Sequence, residues 1–398
     1  MEPLFTPEQL AEIHAYHLPY YIRSAVNPFV QLALLGLMLV VLVRPFHRGA
    51  TSAAAWLERK LGFLRTAPVS RAFFRAMDRL WGEPGWGAAV LFALATDFFG
   101  KLVYAPVDVW FSYSLEHQYG MSNYTPASFA WDWLKGHLLE GFAMTSLVIG
   151  MYGLARRMRH WWLVLGVPVA LLLLVSSALD PYRARLYYDQ KPLPAGTLRT
   201  RLTGLMDKAG ITFSDVVVEE TSVASRRVQA YFAGQGPTRT IVLNDVLLKE
   251  LSEDEVLAAV AHEAGHVHEA KWPGRIASSL ALVGLLFLID RVLRLSAQRG
   301  WFGTTRFADI RTLPLLALLL FLVIHQLGGP IAGAFARERE READRYALRL
   351  TGDVDAFRRM LVRAARVNKM DPQPPRWVVL KGMSHPPVGE RLAALPPP

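Results

Sequence analysis

Six long apolar blocks limit what this chain can fold into more than any other feature of its sequence. They fall at about 26–43, 85–103, 136–154, 161–179, 276–289 and 313–334. A helix needs about 20 predominantly apolar residues to cross the hydrocarbon core of a bilayer, and most of the blocks approach that length. The fourth (LVLGVPVALLLLVSSAL) and the sixth (LPLLALLLFLVIHQLGGPIAG) are the least ambiguous, and the fifth is the shortest. Composition agrees with this. Hydrophobic residues make up 52% of the 398 and charged residues 20%, whereas a soluble domain carries about 25% charged residues. The second block holds Asp97 and Lys101, and charged groups inside a span usually face a cavity or a partner rather than lipid. The first block begins too far into the chain for an ordinary signal peptide, so it is expected to be retained.

The formal net charge of +10 does not require nucleic acid as a partner, because no nucleic-acid-binding motif accompanies it. The basic residues gather instead in short loops beside the apolar blocks. One loop holds Arg44, Arg48, Arg59, Lys60 and Arg65, the next Arg156, Arg157 and Arg159, and the third Arg294, Arg299, Arg306 and Arg311. Such loops face the cytoplasm by the positive-inside rule. The chain has no cysteine, which excludes disulfides, thiolate zinc sites and cysteine-protease chemistry. Any metal must then be held by histidine and carboxylate.

Two regions are not membrane-like. The first, 180–272, carries strand-like runs at 216–220, 227–232 and 240–243, separated by Thr-Ser and Gly-Gln-Gly-Pro turns and followed by a helix. The second, from about 335 onward, reads as amphipathic helices ending in a Pro-rich loop. The expected organisation is a membrane region over 1–179 with about four transmembrane helices, then one α+β unit in two parts. These parts, 180–275 and 335–398, are separated by a transmembrane pair over 276–334.

Chemistry concentrates in the run LSEDEVLAAVAHEAGHVHEA at 251–270. Ser252 and Glu255 form a capping box that sets the start of a helix. On that helix His262 and His266 stand four apart, so both imidazoles leave one face and suit two nitrogens about 2 Å from a single Zn²⁺. Glu263 is swung away from this pair and can reach a water on the metal, the position of a general base. His268 cannot share the face of His266 and reads as a surface residue.

A catalytic zinc has three protein ligands and an open position for water. The run FAREREREADRYALRL at 335–350 offers the third. Glu340 and Asp344 share one helical face there, so Glu340 can ligate while Asp344 fixes a histidine through its second ring N–H. The alternating Arg and Glu equally describe a solvated surface helix. The local sequence does not choose among Glu338, Glu340 and Glu342.

Together these elements resemble the M48 metallopeptidases, which include the CAAX prenyl proteases and the HtpX heat-shock protease. The family's His-Glu-x-x-His is matched by His262, Glu263 and His266, and its Arg-x-x-Glu-x-x-Ala-Asp by Arg337, Glu340, Ala343 and Asp344. A third element is matched by Ser384, His385, Pro386 and Pro387 before Glu390, Arg391 and Leu392. Upstream, PVDVWFSYSLEHQYGMSNYT at 106–125 is similar to the amino-terminal region of the prenyl proteases, with Leu115, Glu116 and Gly120 in place and Met121 and Ser122 departing.

The apolar blocks imply an integral membrane protein, mainly α-helical, with about six transmembrane helices, and the resemblance adds a split α+β zincin-like peptidase domain. It implies one zinc per chain on His262, His266 and Glu340, and a catalytic group of Glu263, Asp344 and His385, the last stabilising an oxyanion. The family's substrate-binding strand carries Asn-Ala-Tyr where this chain has Gln229, Ala230 and Tyr231. The prenyl-protease type has seven membrane helices, against six found here, with a basic stretch at 44–83 where another would sit.

The expected partners are membrane lipid and a peptide or protein substrate, with lipidation of the substrate left open. Two alternatives stand beside this reading, an HtpX-like quality-control protease and a non-catalytic scaffold with a structural zinc. Six helices and the basic loops put the catalytic unit outside, the resemblance puts it in the cytoplasm, and the sequence leaves the side open.

Overall fold

Helices long and apolar enough to cross a membrane dominate the architecture. The structure, a computed structural model, describes residues 5–81, 85–175, 188–269, 271–304 and 306–397. Five such helices lie among them: Pro7–Leu61, Trp86–Gln118, Pro126–Arg157, Pro273–Arg299 and Ile310–Thr351. They contain five of the six expected blocks. The other begins the helix Trp161–Val175, while its last four residues, and the expected boundary at 179–180, lie outside the described residues.

The first helix runs for 55 residues, about 80 Å at 1.5 Å per residue, well beyond one crossing of a core about 30 Å thick. It continues through Pro19 and Pro28 and a π-turn at Met38–Leu42. Membrane helices tolerate such interruptions because neighbouring helices, Ser/Thr side chains and local π adjustments re-satisfy the freed backbone groups. The described part of the basic stretch at 44–83 is therefore also helical, as Val43–Leu61 and Pro68–Trp81.

Phe29, Phe98, Phe142 and Leu280 stand exposed on these helices, as side chains facing lipid do. Phe92, Tyr152, Trp161, Leu293 and Leu316 pack between the helices in one buried cluster. Polar ties close the gaps: the Tyr152 and Thr312 hydroxyls bond at 2.7 Å, and Trp161 Nε1 donates to Asp290 at 2.9 Å. Lys101 donates to Asp97 at 2.8 Å and to the His137 carbonyl at 3.2 Å, so the charges of the second block meet each other and a neighbouring helix.

The non-membrane part is built on a four-stranded sheet of order β1-β2-β4-β3. Its strands are β1 (Gln190–Pro192), β2 (Asp215–Glu219), β3 (Ala230–Ala233) and β4 (Thr240–Asn244). The central pair β2–β4 is parallel and the two outer pairs are antiparallel, which leaves β3 at an edge. The helix Glu253–His268 packs against β3 and against Thr197–Ala209, Gly329–Thr351 and Val354–Val367. Leu202, Met206, Ile241, Leu243, Ala261, Ala264, Ala347 and Phe357 fill the space between them. Residues on either side of the Lys271–Arg299 and Leu313–Leu320 helices thus share one core.

Candidate metal centre

The site begins with a helix start. Ser252 Oγ accepts from the Glu255 N–H at 3.4 Å while the Glu255 carboxylate accepts from the Ser252 N–H at 2.8 Å. This reciprocal cap fixes the phase of the helix, so that His262 and His266 emerge together with ring centroids 4.9 Å apart and planes at 89°. Gly265 lies between them on the side facing the Gly329–Thr351 helix. A Cβ there would stand 2.7 Å from Ala343 Cα, so only glycine lets the two helices approach this closely. That approach carries Glu340 to the histidines.

The Glu340 carboxylate spans both rings. Its Oε2 is 3.3 Å from His262 Nε2 and its Oε1 is 3.3 Å from His266 Nε2. Ligand atoms each about 2.0–2.2 Å from one tetrahedral ion stand roughly 3.3–3.6 Å apart, so these residues fit a zinc ion. Glu340 Oε2 is moreover buried without a hydrogen-bond partner, a cost that a cation removes. Ligand atoms of His262, Glu263 and His266 also lie within 4.8 Å of one another. Proximity alone does not rank the two carboxylates; the orphaned oxygen and its spacing favour Glu340 as ligand. Glu263 is left beside the centre, where burial pushes its carboxyl above the usual range, the direction that suits a base working near neutral pH.

A second layer of charged groups orients the first. Asp344 Oδ1 lies 2.8 Å from His262 Nδ1. Arg391 grips the same carboxylate with two donors, at 2.9 and 2.6 Å, and His262, Asp344 and Arg391 are all buried. His266 Nδ1 is hydrogen-bonded to Glu269. His385 stands at the open side, its Nε2 3.4 Å from Glu340 Oε1 and its side chain 53% exposed. Buried Arg337 donates to the carbonyls of Val379 and Met383 at 3.0 and 2.8 Å, which anchors the segment leading to His385.

The six residues expected at the centre thus come together, and their neighbours do not. His268 bonds the Ala209 carbonyl at 3.0 Å, Glu338 pairs with Arg341 at 3.0 Å, and Glu342 is exposed. The expected substrate residues lie at the edge beside this helix. Asn244 N donates to the Gln229 carbonyl at 3.1 Å. Antiparallel bonding alternates, so the N–H and C=O of Ala230 and Phe232 turn away from β4 toward the open edge. The Tyr231 side chain is on the other face of the sheet, where its hydroxyl donates to Glu219 at 3.0 Å.

Two participants are not evident from local sequence. Arg391 stands in the third motif, but its partner Asp344 is 47 residues away, beyond any local spacing rule. Glu269 follows His266 by three, a spacing at which helical side chains meet, and that was the available signal. Glu269→Ala is expected to weaken zinc binding by about 10–100-fold. Competition with a chelator measures this, and an unchanged affinity would show that the hydrogen bond does not hold the imidazole.

The chain is similar to several known proteins. The family model described as Peptidase family M48 matches residues 192–397, and that described as CAAX prenyl protease N-terminal, five membrane helices, matches 1–183. The second description has one helix more than the four expected over 1–179. The chain is 30% identical over 310 residues to the "Uncharacterized metalloprotease YhfN" of Bacillus subtilis (strain 168), covering 76% of this chain and 71% of that one. It is 24% identical over 316 residues to CAAX prenyl protease 1 of Saccharomyces cerevisiae, covering 74% and 69%. The crystal structure of S. mikatae Ste24p superposes with a TM-score of 0.69 at 19% identity, covering 98% of this chain and 99% of that one.

Proposed function

The chain belongs to peptidase family M48, and from that premise we propose that it is a zinc endopeptidase of the CAAX prenyl protease type, integral to a membrane. The observation that carries the zinc reading is the Glu340 carboxylate, whose Oε2 is orphaned beside His262 Nε2 and whose Oε1 faces His266 Nε2, both at ligand spacing. His262, His266 and Glu340 hold the metal. When bound, zinc supplies a Lewis acid that polarises the scissile carbonyl and lowers the pKa of water.

The remaining chemistry belongs to the side chains. Glu263 accepts the proton of the attacking water and delivers it to the leaving amine. His385 donates to the oxyanion as charge develops, a contribution typically worth about 10²–10³ in rate. Asp344, held by Arg391, fixes the ring of His262. The substrate lies extended along β3, exchanging main-chain hydrogen bonds with Ala230 and Phe232 as an added strand. On this reading the catalytic unit comprises 180–275 and 335–398, set between a membrane region at 1–179 and a transmembrane pair at 276–334.

The names of the relatives suggest a prenylated substrate, and the matched Leu115, Glu116 and Gly120 support that branch. The test compares two peptides ending in a C-a-a-X sequence, identical except for a farnesyl thioether on cysteine. The prenylated peptide is expected to show at least about tenfold higher kcat/KM, a preference of about 1.4 kcal/mol. Equal cleavage of both, together with cleavage of unfolded membrane proteins, would move the assignment to quality control.

A further inference from the structure

Glu116 is a buried carboxylate that the chemistry above does not use. It follows the π-turn Trp110–Leu115 at the end of the second long helix, and it collects donors from two other parts of the chain. Tyr16 and Tyr20, on the first helix, both donate to its Oε1 at 2.6 Å. Arg227 donates to its Oε2 at 2.7 Å and to the Tyr16 hydroxyl at 2.7 Å. Arg227 stands three residues before Ala230, where the open edge of β3 begins.

The backbone around Arg227 is held on every side. The 121–123 segment runs beside 224–226, with Arg226 N donating to the Met121 carbonyl at 3.1 Å and Asn123 N to the Ala224 carbonyl at 3.0 Å. The Asn244 side chain donates to the Arg227 carbonyl at 2.7 Å and accepts from Gln229 N at 3.0 Å. Asn368 takes both main-chain groups of Val228, at 2.8 and 3.1 Å. The first helix reaches that side as well, because His17 bonds the Lys369 carbonyl at 2.7 Å and Tyr21 donates to Asp371 at 2.7 Å. One stretch of the first helix, 16–21, therefore grips the lead into β3 by two routes.

We propose that the Glu116–Arg227 pair positions the substrate-binding edge, coupling the first two membrane helices to the register of β3 against the metal centre. This rests on the peptidase reading above. The hydrogen bonds of the pair go to each other and to Tyr16 and Tyr20 rather than to His262, His266 or Glu340, so its loss shifts the strand that receives the substrate backbone without removing a group that performs chemistry. Small displacements of positioning elements can cost up to about 100-fold. A charge-assisted bond to a nearly buried carboxylate is strong enough to set such a position.

The experiment uses the full chain in detergent with an internally quenched peptide, and compares wild type with Glu116→Gln and Arg227→Lys. Both variants are expected to keep one zinc per chain and unchanged affinity for a small hydroxamate. KM should rise by about tenfold while kcat stays within about threefold. An unchanged KM with zinc intact would overturn the proposal, as would an equal fall in kcat. Should Glu116→Gln fail to fold, Tyr20→Phe removes one donor without a change of charge and should raise KM by about threefold; no rise would count equally against it. Absence of zinc and activity in the wild type would instead sink the peptidase reading.

Discussion

Glu263→Gln should leave one zinc on the chain and lower kcat by about 10²–10⁴-fold, the contribution of a positioned general base. The amide keeps the size and burial of the side chain but cannot take a proton from water. The close approach of the two helices comes from Gly265 against Ala343, which the substitution leaves in place. Folding and metal content should therefore survive. Metal analysis and single-turnover cleavage on the same preparation separate the two effects. Loss of zinc with activity would make Glu263 a ligand, which its position within 4.8 Å of both histidines makes a meaningful alternative outcome.

Glu340→Gln is expected to do the reverse. Loss of the charged ligand should weaken zinc binding by more than the roughly 100-fold that loss of an outer-shell partner can cost, and activity should fall with metal occupancy. The same substitution at Glu338 or Glu342 should change neither quantity, because both side chains are exposed. Adding zinc in excess should recover part of the Glu340→Gln activity, whereas it should recover none in Glu263→Gln. Measuring zinc affinity across the three carboxylate variants decides the assignment. Equal effects at Glu338 and Glu340 would mean that the helical phase seen here is wrong.

Much of the centre was legible because helical periodicity is rigid. Ser252 and Glu255 fix where the helix begins, and four-residue spacing then puts His262 and His266 on one face. The third ligand was harder, because 337–342 alternates Arg and Glu and every second residue offers a carboxylate. The family pattern singles out Glu340, and packing gives the physical reason: it lies on the stripe that includes Gly333, Arg337 and Asp344, all buried. The second layer was legible only in part. Asp344 shares a face with Glu340, but Arg391 is set by tertiary folding alone.

The membrane helices show the same division. Apolar blocks marked their places, but their lengths were underestimated wherever polar or proline residues entered. The fifth block read as 276–289, yet its helix is Lys271–Arg299, since backbone in or near a bilayer gains by satisfying its own hydrogen bonds past the apolar run. Strand β1 is hidden in the sequence for a different reason. It is three residues long and ends in Pro192, and a proline demotes a run to an edge position. It is in fact the edge strand opposite β3.

Zinc content and peptide cleavage, measured on the purified wild-type chain before and after chelation, decide whether this is a zinc peptidase. One zinc per chain is expected, with peptide cleavage lost when the metal is stripped and restored when zinc returns. Cleavage that persists in metal-free protein, or a chain that binds no zinc, would contradict the account.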